Sequence, residues 1–248
     1  MQFIHVLPGA AVLKAATNAW FVSTMILLVL APIGLASAYY FIPKILGRAV
    51  FSSQLGLIGF WGLAIVGGWT GMQKFMGGPL PAWLPGVSGA ATIFLLIPVA
   101  AIAVNHHLTT RGQHGVIQYS PTMRFTAVGA FAFTCYAGLI ALNSFFSLGK
   151  LTQLSQSTMA FQLLAVYGFF TMTMFGAIYF IVPRLVGCEW VSGRRIRFHF
   201  WFSTYGAMAL VVMHFVGGMW QSHAYGQFDL PLENAVSAGR PYAIGSVS

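Results

Sequence analysis

Long apolar runs alternate with short polar breaks along the whole chain. A bilayer core about 30 Å thick needs ~20 mostly apolar residues per helix, and runs of that length fall at about 17–42, 54–72, 87–106, 123–147, 158–184 and 199–221. None of the six carries Asp or Glu, and their interiors hold no long charged side chain. The breaks carry turn residues: Pro43-Lys44, Gly77-Gly78-Pro79-Leu80-Pro81, Arg111-Gly112-Gln113 and Gly193-Arg194-Arg195. The expected fold is therefore all-α, a polytopic membrane bundle of about six transmembrane helices forming one domain over 1–221. The Gly/Ser-containing polar stretch 222–248 reads as an extramembrane tail. Pro32 and Pro98 fall inside the first and third helices, where each must kink the helix and free a carbonyl.

Composition strengthens this reading. Of 248 residues 58% are hydrophobic and 6% charged, against about 25% charged in an average globular domain, and the mean hydropathy is +0.78. Such a chain needs lipid or other apolar subunits as its solvent. The net charge of +9 comes from basic residues placed singly or in one short cluster between apolar runs, the pattern of orientation signals, so nucleic acid is not an expected partner. Connections one, three and five hold Lys44, Arg48, Arg111, Arg124, Arg184, Arg194, Arg195 and Arg197; the opposite side holds Lys14, Lys74, Lys150 and Arg240. By the positive-inside rule both termini lie outside the cytoplasm, and the expected location is the inner, cytoplasmic membrane. Met1 to Leu13 lacks a basic leader, and no A-x-A-like site follows the first run, so the first helix is expected to stay. Tyr39-Tyr40, Trp190 and Trp220 read as interface anchors. Cys135 and Cys188 have no companion at metal-site spacing and read as small apolar side chains.

Small residues repeat on the second helix, with Gly56, Gly59 and Gly62 three apart and Gly67 and Gly71 forming Gly-x-x-x-Gly. Close packing inside one bundle is the favoured reading.

Four segments carry further information: Tyr39-Tyr40-Phe41-Ile42-Pro43-Lys44, Leu57-Ile58-Gly59-Phe60-Trp61-Gly62-Leu63, Gly78-Pro79-Leu80-Pro81-Ala82-Trp83-Leu84 and Arg197-Phe198-His199-Phe200-Trp201. With Pro121-x-x-Arg124 and Gly176-Ala177-Ile178-Tyr179, they resemble the second half of subunit I of heme–copper oxidases, specifically the cbb3-type cytochrome c oxidases, over roughly Asn18 to Gln221. The resemblance implies a fold like that half of subunit I and a place in a respiratory electron-transfer complex.

That family reduces oxygen at a heme iron and a copper, and such metals need neutral imidazoles at fixed depths. Carried over residue by residue, the resemblance puts the first copper histidine at Ser23 and the adjacent His-His pair, after Trp69-Thr70-Gly71, at Gln73 and Lys74. The His-x-His that binds two hemes falls on Phe161 and Leu163, and an acid near the heme edge on Leu139. None of the five ligand positions carries an imidazole, and Leu139 is no acid. The implied role is a non-catalytic, structural or assembly subunit, with no cofactor in this chain and any heme or copper held by partner membrane subunits of an oxidase-like complex. The alternative is a redox-active subunit that shares a heme, quinone or copper site with another chain. A six-helix transporter is disfavoured because no helix carries an acid or paired charges for a polar substrate.

Among the seven histidines, His199 reads as a structural hydrogen-bonding residue, His106 and His107 as solvated at a helix end, and His5, His114 and His223 as exposed. His214 alone is deep, ~22 Å along the last helix from His199, and is the one candidate for cofactor binding.

Overall fold

The computed structural model describes residues 11–152, 155–227 and 231–245. Among them no strand occurs, and six helical stretches are long and apolar enough to cross a bilayer. The first, α1, is Ala11–Leu46. The second, α2, is Ser53–Phe75, and α3 is Trp83–Thr110. A short α4, His114–Tyr119, leads into α5, Pro121–Leu142. A single turn, α6, Phe146–Gly149, precedes α7, Ser157–Val186, and α8, Gly193–Tyr225. Two short helices follow, α9, Leu232–Ser237, and α10, Arg240–Gly245. His5 lies outside the described residues.

Two of the long helices are wound loosely at mid-length. Residues Met25–Leu30 of α1 and Leu164–Thr171 of α7 form π-helical segments. In α1 the cause is Pro32, whose missing N–H leaves the ladder to be closed by longer bonds such as Ala31 N–H to the Ile26 carbonyl. In α7 the Thr171 hydroxyl donates to the Val166 carbonyl five residues back at 2.9 Å.

The π segments belong to an internal repeat that hydropathy alone does not expose. Pro43 and Pro183, Gly47 and Gly187, Ser52 and Ser192, Phe60-Trp61 and Phe200-Trp201 all recur at the same offset of 140 residues. Gly47 and Gly187 end α1 and α7 at φ 64° and 71°, each donating to the carbonyl of its proline, a left-handed cap that glycine adopts at least cost. Ser52 and Ser192 then cap α2 and α8 by accepting from Leu55 N–H and Arg195 N–H. The pair α1–α2 is thus built like the pair α7–α8.

The second predicted span requires correction. Its α-helix stops at Val66, and 3₁₀ turns at Gly67–Trp69 and Met72–Phe75 flank a break at Thr70 and Gly71. Gly71 has φ 107°, and a side chain there would meet the Ala19 carbonyl oxygen at 2.7 Å, so glycine is required on both counts. Gly67 and Gly71 therefore face α1 rather than a partner helix. Gly62 packs on α3, where an added Cβ would lie 2.7 Å from the Pro98 ring. The glycine repeat serves packing inside the bundle.

The centre is filled by Leu27, Leu35, Val99, Phe133, Phe161 and Phe169 from α1, α3, α5 and α7. A second cluster joins Phe125, Met172 and Phe200. The last membrane helix runs to Tyr225, beyond the expected end at 221, and the described part of the following stretch folds back on it. Gln221 accepts from Gln156 N–H at 3.0 Å and donates to the Val236 carbonyl at 3.2 Å, while Ala235 is buried.

Candidate functional site

The break in α2 places Ser23, Thr70, Gln73 and Ser88 in one buried network. The Ser23 and Thr70 hydroxyls are 2.7 Å apart and share a hydrogen bond. Thr70 also reaches the Gly67 carbonyl at 2.9 Å. The Gln73 side-chain carbonyl accepts from Gly71 N–H at 2.7 Å and from the Ser88 hydroxyl at 2.9 Å. Ser88 Oγ in turn accepts from Met72 N–H at 2.9 Å and Gln73 N–H at 3.2 Å. Beside it, Trp20 Nε1 donates to the Gly68 carbonyl at 2.6 Å. The polar groups exposed by leaving the α-helix at Val66 are met by neighbouring hydroxyls and an amide, as burial demands.

Lys74 and Phe161 both line a cavity of about 30 Å³, together with Gln73, Asn143, Thr152 and Thr158, room for one water molecule. Thr152 and Asn143 share a short hydrogen bond there. Phe161 is 6% exposed and its ring lies 6.0 Å from that of Phe215. Leu163, two residues on from Phe161 and so on nearly the opposite side of α7, is half-buried, and Leu139 packs on the central cluster. Of the five positions singled out on ligand grounds, the fold brings Ser23 and Gln73 to the same turn, and Gln73, Lys74 and Phe161 to one cavity.

The donor set does not fit a heme–copper centre. First-row metals bound by histidine need several imidazoles converging at about 2.0–2.1 Å, whereas these positions present two oxygens already engaged with each other's neighbours, an ammonium that repels cations, and two apolar side chains. Nor do the described residues contain a group of three His, Cys, Asp or Glu arranged to hold a metal ion. The volume beside them is filled by rings: Phe169 is buried against Phe133 at 4.7 Å between centroids and against Gly34, where a Cβ would meet the Phe169 ring.

The remaining histidines divide. His199 Nδ1 and the Tyr179 hydroxyl are 2.8 Å apart, within a cage of Phe125 and Phe175 rings. His214 is half-buried on α8, and its Nδ1 is buried without a hydrogen-bond partner. His106 corrects the expectation of a solvated residue. It is 7% exposed with neither ring nitrogen partnered, while His107 is exposed, because successive side chains on a helix point about 100° apart. Tyr39 is likewise no simple interface anchor: its ring lies 4.5 Å from that of His106 at a tilt of 52°, and its hydroxyl accepts from Asn105. Asn105, absent from the candidates, is fully buried and clamps the first connection, bonding Ser52 N–H and the Ser52 carbonyl at 3.0 and 2.9 Å. Only its place among apolar residues near a helix end could have signalled this. Cys135 and Cys188 are both free, and Cys188 is exposed beyond the end of α7.

An all-α membrane bundle with six spanning helices defines the class: a multi-pass membrane protein. The family described as Cytochrome C and Quinol oxidase polypeptide I matches residues 1–244, and the chain belongs to that family. It is 27% identical over 223 residues to a cytochrome c oxidase subunit 1 homolog of Agrobacterium tumefaciens (strain T37), covering 89% of this chain and 41% of that protein. It is 27% identical over 187 residues to the cbb3-type cytochrome c oxidase subunit CcoN1 of Stutzerimonas stutzeri, covering 74% and 39%. Against cytochrome c oxidase subunit 1 of Rhodobacter capsulatus the identity is 25% over 223 residues, covering 89% and 42%. The chain spans about two fifths of the length of these relatives.

Proposed function

We propose that this chain is a non-catalytic, structural or assembly subunit of a respiratory oxidase-like complex in the inner membrane, with both termini on the non-cytoplasmic side. The observation that supports this reading is the network just described: Ser23 and Gln73 spend their oxygens on Thr70, Gly71 and Ser88, beside Lys74 and Phe161. A site kept for metal would leave its donors convergent and unengaged. Electron transfer in such a complex would then run through cofactors of partner subunits.

Large exposed side chains on two helices support a partnered role. Leu57, Phe60, Trp61 and Ile65 of α2 and Phe198, Trp201, Phe202 and Tyr205 of α8 all face outward; such faces suit lipid or neighbouring membrane helices.

A second reading rests on His214. Its Nδ1 is buried and unpartnered, so the chain could lend one imidazole to a heme, quinone or copper site completed by another chain. The visible absorption spectrum of the isolated chain separates the two. The structural reading expects no Soret band, and a stoichiometric heme that is lost on His214→Ala would establish the second. Recovery with other respiratory subunits in mild detergent is expected under either reading, and a stable lone monomer across several detergents would contradict both.

A further inference from the structure

Near the end of α3 a buried imidazole faces empty space. His106 has no partner at either ring nitrogen, although a neutral imidazole carries one donor and one acceptor and an unmet buried polar group is costly. Its ring lines a cavity of about 320 Å³ between α3 and α5. On α5 the wall is Met123, Ala127, Ala130, Phe131 and Thr134, one helical face that extends ~16 Å along the axis. Phe131 is 71% exposed, so the cavity is a groove open sideways to the bilayer.

The polar end of this groove is cationic. Thr110, the last residue of α3, lines it and Arg111 follows directly. The Arg48 guanidinium donates to the Arg111 carbonyl at 3.0 Å, while its Nε is buried without a partner. The chain has three acids, Glu189, Asp229 and Glu233, all after α7 in sequence, and only Glu189 falls in the odd-numbered connections, against the eight basic residues Lys44, Arg48, Arg111, Arg124, Arg184, Arg194, Arg195 and Arg197. His106 lies four residues inside the helix end, ~6 Å below it. In a glycerophospholipid the ester carbonyls sit just beneath the phosphate, with the acyl chains below them.

We propose that this groove binds one anionic glycerophospholipid, with its phosphate at Arg48 and Arg111, an ester carbonyl accepting from the His106 imidazole, and an acyl chain along the apolar face of α5. The His106 N–H and the Arg48 Nε, both buried without partners in the protein, then each meet an acceptor of fitting chemistry at a fitting depth. A zwitterionic lipid brings its own cation beside the phosphate and so offers the two guanidinium groups a weaker net attraction.

Native mass spectrometry of the full chain, in mild detergent doped with either dioleoylphosphatidylglycerol or dioleoylphosphatidylcholine, tests the proposal. One retained phosphatidylglycerol adduct is expected, with phosphatidylcholine retained less. His106→Phe removes the donor and Ala127→Phe fills the groove while leaving the imidazole in place; each should lower phosphatidylglycerol occupancy about tenfold. The second variant keeps the test decisive should the first not fold. Arg111→Gln should erase the preference between the two lipids. Equal retention of both lipids by the unaltered chain, unchanged occupancy in both groove variants, or retention of an isoprenoid quinone instead of phospholipid would overturn it.

Discussion

Replacing Ser88 by alanine probes the buried network formed around Ser23, Thr70 and Gln73. Ser88 is 2% exposed, and its hydroxyl accepts from two backbone N–H groups and donates to Gln73. The substitution creates almost no cavity but strands the N–H groups of Met72 and Gln73. A buried donor left without a partner costs about 1–3 kcal/mol, and since the Met72 bond is only partly buried the sum should be about 2–4 kcal/mol. For a chain of this size that corresponds to a fall in melting temperature of about 4–16 °C. Thermal unfolding in mild detergent, followed by the fluorescence of Trp69 and Trp83 that flank the segment, measures it. Ser37→Ala is the matched control, because the Ser37 hydroxyl only turns back to the Ile33 carbonyl of its own helix. If Ser88→Ala melts together with Ser37→Ala, the 70–75 turn is not held by these hydrogen bonds, and the claim that they displace metal ligation loses its footing.

Other substitutions test other joints. Gly62→Leu should push α2 off the Pro98 face of α3 and cost about 1–3 kcal/mol, read as a lower melting temperature, and a neutral result would deny the close approach of the two helices. Gly47→Ala places a Cβ at φ 64° in otherwise open space and should cost about 1–2 kcal/mol by backbone strain alone, whereas Gly115→Ala in α4, equally open but helical, should be neutral or slightly stabilising. The triple change Ser23→His, Gln73→His, Lys74→His is expected to bind copper weakly in a titration followed by electron paramagnetic resonance, while each single change binds none. The oxygens around these positions are already engaged with one another rather than set to orient metal-bound imidazoles, so tight binding by any single variant would show that the ligand positions are wrongly placed.

The six spans were legible because the bilayer imposes a length and a polarity that a linear scan can read. The ends were less so: α1 begins by Ala11 and runs to Leu46, and α8 starts at Gly193, since amphipathic residues at a membrane surface continue a helix without prolonging its apolar run. The break at Thr70 and Gly71 was invisible to hydropathy because its polar groups are satisfied by hydroxyls from α1 and α3, contacts that only the fold creates. Tyr39 and His106 were misjudged for a related reason. Position near a helix end suggests solvation, but which way a residue faces depends on the neighbouring helix. The proline at 32 foretold a disturbed ladder, yet the matching π segment in α7 has no proline, and only the structure exposes the repeat that relates them. At the site, the residue types at Ser23, Gln73, Lys74 and Phe161 were readable in sequence, and their convergence on one turn and one cavity was not.

The central claim is that this member of the oxidase subunit I family holds no redox metal of its own. Iron and copper content per chain, measured by elemental analysis on protein purified from its own membranes and then separated from any partners, tests it most directly. The proposed structural role predicts both metals far below one per chain after separation. One iron or one copper per chain, retained through separation, would contradict it.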